Sequence, residues 1–197
     1  MNYRDRFINY VWPRVITFLE NYSQAAFTTW IGPYMWNEDG DLKRIITHFC
    51  EEEFGLLTVH NETKVAKFYS KIFKDQVDSG KREKRKTFSI DIVITDARTC
   101  KNMEELREME HELFIELKGI ANTSWPVDVE RKIIGFKEDC DELKHMLDNK
   151  FCKNAIAILV DNGDYKGINY VKNKEGFIKE LEQDFSPVVP LIWQKER

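Results

Sequence analysis

The sequence predicts an α/β protein with a central mixed β-sheet flanked by helices. Three observations carry this. Phe88, Ile90, Ile92 and Ile94 alternate with Ser89, Asp91, Val93 and Thr95, the period of two that a strand requires. Ala155–Val160 (AIAILV) is an unbroken apolar run, which suits a strand buried on both faces. Between and around such runs, apolar residues recur at helical spacing: Leu42, Ile45, Ile46 and Phe49 form one stripe, and Phe136, Cys140, Leu143 and Leu147 another.

Taken in order, residues 1–35 read as a helical N-terminal extension packed on the core. Val11, Val15, Phe18, Leu19 and Tyr22 share a helical face, and Pro13 fits best in the first turn of the main helix, where its missing N–H is harmless. Gln24–Trp36 then gathers large apolar groups around a Gly32-Pro33 break. A helix follows over 38–53, with Asn37 or Asp41 as its N-cap. Gly55–Val65 reads as a strand, and Lys67–Asp75 fits helix and strand equally. Strands are expected over 88–95 and 113–119, joined by a highly charged connection, MEELREMEHE. A helix over 128–149 leads to the 155–160 strand and a turn at Asp161–Asp164. A last helix carries Phe177, Ile178 and Leu181, and Pro187–Trp193 is a Pro-bounded edge strand. The whole of 1–197 reads as one domain.

Composition narrows the class. A chain of 197 residues and 23.4 kDa can bury a substantial core, and 42% hydrophobic with 13% aromatic residues is a folding composition. No apolar run approaches the roughly 18–20 residues of a membrane span, and MNYRDRFINYVWP lacks the apolar core of a secretory leader. Cys50, Cys100, Cys140 and Cys152 are scattered, which suits reduced thiols and a cytoplasmic setting rather than a disulfide framework or a zinc site. Net charge is −4, yet Lys81, Arg82, Lys84, Arg85 and Lys86 supply five basic residues in six. Such a run is either a solvated loop or a phosphate-contacting patch.

The candidate chemistry lies between Phe88 and Gly119. Asp91 stands on one strand, and Glu116 and Lys118, two apart on the next, point to one face. Phe114, Ile115, Leu117 and Ile120 around them mark that strand as central, where charges are costly unless they serve something. Two carboxylates on neighbouring strands suit a hard cation such as Mg²⁺, and a lysine beside them suits water activation or oxyanion stabilisation. The opposite reading is a set of salt bridges on a half-exposed sheet. Asp96 is the rival of Asp91, better read as a turn residue. His111 could orient a phosphate, although a lone histidine is more often structural. His48 and Cys50 do not share a helix face and make no catalytic pair.

Asp91 in SIDIVITD and the tripeptide Glu116-Leu117-Lys118 in ELFIELKG resemble the PD-(D/E)XK nuclease superfamily, with Ile90 where the name-giving proline would stand. The likeness covers roughly residues 37–160 and spans 24 residues between Asp91 and Glu116. It implies a restriction-endonuclease-like αβββαβ core, preceded by the 1–35 extension and followed by a C-terminal helix and edge strand over 161–197. It further implies a Mg²⁺- or Mn²⁺-dependent endonuclease hydrolysing phosphodiester bonds, with DNA as substrate, no membrane partner, and a homodimer as an assembly to test. Asp91, Glu116, the Leu117 carbonyl and Glu38 would hold metal, with Glu51–Glu53 as rivals of Glu38. Asp91, Glu116 and Lys118 would be catalytic, and Lys81, Arg82, Lys84, Arg85 and Lys86 would contact nucleic acid. A helix lysine among Lys132, Lys137 and Lys144 would complete the pattern. Two alternatives stand beside this: a nuclease-fold protein that no longer cleaves and acts as a nucleic-acid-binding or protein-interaction module, and an unrelated α/β protein whose aromatic N-terminus is a protein-interaction surface, which a wide separation of Asp91 and Glu116 would support.

Overall fold

The computed structural model describes residues 1–25, 42–56, 58–64, 89–96, 109–120, 126–163 and 169–195. Expectations that fall on the Gln24–Trp36 apolar cluster beyond residue 25, on Asn37, Glu38 and Asp41, on Lys67–Asp75, on 81–86 and on most of MEELREMEHE lie outside these residues.

The N-terminal helix is built in three registers: α1 (Tyr3–Arg6), a π-helical turn (Phe7–Val11) and α2 (Trp12–Ala25). Asn2 starts it, its Oδ1 accepting the Asp5 N–H at 2.8 Å. The π turn, in which Trp12 donates its N–H back to the Phe7 carbonyl, runs directly into the turn holding Pro13. Proline thus sits in the first turn of α2, as expected, but the chain is helical on both sides of it. Helix α3 (Lys43–Phe54) stops at Gly55, whose φ of +95° is a conformation glycine alone adopts cheaply. A turn there delays the first strand, so β1 (Val59–Lys64 among the described residues) starts at Val59 and not at Gly55. Then come β2 (Ser89–Ile94), β3 (Leu113–Ile120), α4 (Pro126–Asp148), β4 (Ala155–Asp161), α5 (Lys174–Phe185) and β5 (Val189–Gln194).

The five strands form one mixed sheet in the order β1-β2-β3-β4-β5. β1, β2 and β3 pair antiparallel, whereas β3, β4 and β5 are parallel, α4 and α5 providing the crossovers. β3 is central, and every residue of β4 is buried, because both have helices above and below. On one face α1–α3 press Phe7, Val11, Leu19, Ile46 and Cys50 onto Ile92, Ile115, Leu117 and Ile158. On the other, α4 and α5 bring Phe136, Cys140, Leu143 and Leu181 onto Phe114, Ile120, Ala157 and Leu159. β5 is the edge strand the sequence predicts, and an edge is where Pro190 can be spared a ladder hydrogen bond.

Candidate active site

Strand β2 loses its regular alternation at Asp91. Ile92 and Ile94 pack in the α1–α3 core, but Ile90 joins Val93 in the α4–α5 core. Pairing of β2 with β3 also covers only Ile92–Ile94 against Leu113–Ile115. The two strands therefore part at the level of Asp91 and Glu116. Asp91 turns across the gap, and its Oδ2 accepts the Leu117 N–H at 2.9 Å. Its Oδ1 meets the Lys43 ammonium at 2.7 Å, in a pair whose side chains are only 8% and 17% exposed.

Glu116 is 7% exposed, on the α4 side of β3, and its Oε1 has no hydrogen-bond partner among the described residues. Burial above all holds its carboxyl well above the usual range. The charges of Asp91 and Asp139, a hydrogen bond shared with Asp91, and the charge of Glu142 add to the effect. Lys118, two residues on from Glu116 and on the same face, reaches Asp139 of α4 at 3.1 Å, a charge contact not aligned as a hydrogen bond. The lysine stem passes Gly135, one helical turn before Asp139, where a Cβ would lie 3.8 Å from Lys118 Cε.

The structure brings Asp91 and Glu116 into contact, and Lys118 meets Asp139, whose charge also acts on Glu116. It adds three groups the pattern did not single out: Lys43 from α3, and Asp139 and Glu142 from α4. Each had a readable signal. Lys43 shares its helix face with the buried Ile46, Thr47 and Cys50 at i+3, i+4 and i+7. Asp139 and Glu142 fall within the Phe136–Cys140–Leu143 stripe, where a solvated charge is out of place. Among the described residues no set of three His, Cys, Asp or Glu side chains is arranged as a ready-made metal cage. The donors fit a hard cation all the same: two carboxylates on parting strands, one with a buried oxygen lacking a partner, suit an ion that keeps waters in its remaining positions.

The other candidates fall away from the site. Lys132 donates to the Gly119 carbonyl at 2.6 Å at the end of β3, while Lys137 pairs with Glu180 and Lys144 caps the Asp184 carbonyl. Of the Glu38 rivals, Glu52 and Glu53 are bound to Arg14 and Arg6 of the N-terminal helix. His111 is buried against Phe114, where burial and nearby His60 push its imidazole down to about 4, and its backbone bridges to the Cys152 strand end. Cys50 and Cys152 are buried with thiols pushed far up by burial, Cys140 to about 12, so burial disfavours the thiolate in all three. His48 is exposed and pairs with Glu52.

Comparison with protein-family descriptions, with characterised proteins and with solved structures finds no match to this chain.

Proposed function

We propose that this protein is a Mg²⁺- or Mn²⁺-dependent endonuclease that hydrolyses phosphodiester bonds in DNA, built on a restriction-endonuclease-like core. The observation that carries the reading is the meeting of Asp91 and Glu116 across the parted β2 and β3, with Lys118 on the same face. The helix–three-strand–helix–strand order of α3 to β4, with β3 central and β3–β4 parallel, supports the αβββαβ assignment. Asp91 and Glu116, with the Leu117 carbonyl, would hold the ion, and Glu38 is a further ligand candidate. The ion, once bound, supplies an activated water and charge neutralisation at the phosphate. Lys118 positions that water or meets developing negative charge, and Asp139 orients its ammonium meanwhile. Lys81, Arg82, Lys84, Arg85 and Lys86 are proposed to hold the DNA backbone.

The test is cleavage of single- and double-stranded DNA with either cation. Lys118→Ala should lower it about 10²-fold or more without unfolding the protein, and Asp91→Asn, which keeps the shape and an acceptor beside Lys43, should abolish it. A second reading is favoured by one observation: Asp91 is already neutralised by a buried lysine. On that reading the fold is kept for nucleic-acid binding without cleavage, and a Mn²⁺ titration without heat alongside intact DNA binding would select it.

A further inference from the structure

We infer that Lys43 is an internal counter-ion that occupies the candidate cation site, so that a divalent ion binds Asp91 only in exchange for the lysine ammonium. The inference rests on reading Asp91 and Glu116 as a metal site, and it concerns how that site is regulated.

Lys43 is 6% exposed at the start of α3, among the apolar residues that pack on the sheet. A buried ammonium needs compensation, and Asp91 Oδ1 gives it at 2.7 Å. The other Asp91 oxygen is held by the Leu117 N–H at 2.9 Å. Both oxygens are therefore engaged by protein donors. A free lone pair on the carboxylate does not remove the conflict: a divalent ion within about 2 Å of Asp91 would stand against an ammonium already touching it. The same carboxylate cannot fully neutralise both charges. Glu116 has the complementary fault, a buried Oε1 with no hydrogen-bond partner among the described residues and three acidic neighbours in Asp91, Asp139 and Glu142. Lys118 meets Asp139, and Lys43 meets Asp91. Entry of an ion would satisfy Glu116 and set Lys43 free from Asp91 at the edge of the site.

Removing the charge of Lys43 while keeping its volume should uncover the site. Lys43→Met leaves Asp91 without its counter-ion, which weakens the metal-free fold and strengthens the pull on any other cation. Calorimetric titration with Mn²⁺ alone, without DNA, is expected to give Lys43→Met an affinity about tenfold or more above the unsubstituted protein. Mn²⁺ should likewise raise the melting temperature of the variant more than that of the parent. Lys43→Gln, which keeps a neutral hydrogen bond to Asp91, serves if the methionine variant does not fold, and should show the same direction. Asp91→Asn should abolish binding in every background. If the parent binds Mn²⁺ and neither Lys43 variant binds it more tightly, the exchange is wrong and the metal site stands. If neither the parent nor any variant binds Mn²⁺, the metal site itself is wrong and the exchange goes with it.

Discussion

At the scale of single residues, two buried titratable side chains store opposite liabilities. Glu116 is crowded by Asp91, Asp139 and Glu142 and kept from solvent, so its carboxyl opposes folding in the metal-free protein. Glu116→Gln keeps the shape and removes the ionisable group. In the presence of a chelator it should raise the melting temperature by about 2–4 °C, the equivalent of roughly 1 kcal/mol in a chain of this size, while losing Mn²⁺ binding. A residue that costs stability and gains a ligand is what a functional site predicts. His111 works the other way. Its folded value of about 4 lies below the 6.5 of a free imidazole, so the unfolded chain takes up the proton first. The stability that neutral His111 contributes is complete above pH 6.5 and is lost as pH falls toward 4. Replacing it by leucine should flatten the acid limb of a stability–pH curve over that window by about 2–4 kcal/mol.

At the scale of elements, the end of β4 depends on one buried carboxylate. Asp161 is fully buried, and it accepts the Gly163 N–H at 3.0 Å, the Val171 N–H at 2.8 Å and Gln194 Nε2 at 3.1 Å. It thus ties β4 to β5 and to the segment entering α5. Asp161→Ala should cost about 3 kcal/mol or more, because it orphans three donors at once. Asp161→Asn should recover only part of that, since one of its three donors would face an NH₂ group; urea unfolding of the two variants distinguishes these. The elements were largely legible in the sequence because each carried a period: the β2 alternation, the AIAILV run of β4, and the stripes of α3 and α4. β1 was expected to start too early because Gly55 was read as the start of a strand when it ends a helix. The site was legible in part for a related reason. Glu116 and Lys118 stand on a strand, where a spacing of two fixes the face. Lys43, Asp139 and Glu142 stand on helices, and which way a helix charge points depends on how that helix is laid on the sheet. Their place within buried stripes hinted at this, but nothing in local sequence joined them to Asp91. The break of alternation at Asp91 was equally hidden, since it arises where β2 parts from β3.

At the scale of the whole molecule, three layers converge on one seam. The sheet supplies Asp91, Glu116 and Lys118, the α3 layer supplies Lys43 and the α4 layer supplies Asp139 and Glu142. Each helix layer thus contributes charge to groups on the strands between them, and the sheet opens where β2 and β3 part. Glu116 Oε1 is buried there with no hydrogen-bond partner among the described residues, beside the acidic Asp91, Asp139 and Glu142. A buried, unpartnered carboxyl oxygen is the kind of donor a hard cation takes. The most direct test of the account is cleavage of single- and double-stranded DNA in Mg²⁺ or Mn²⁺ by the unsubstituted protein and by Lys118→Ala, both verified as folded. The account predicts cleavage by the first and a loss of about 10²-fold or more in the second. Intact substrates with the unsubstituted protein in either metal, or equal cleavage by both proteins, would contradict it.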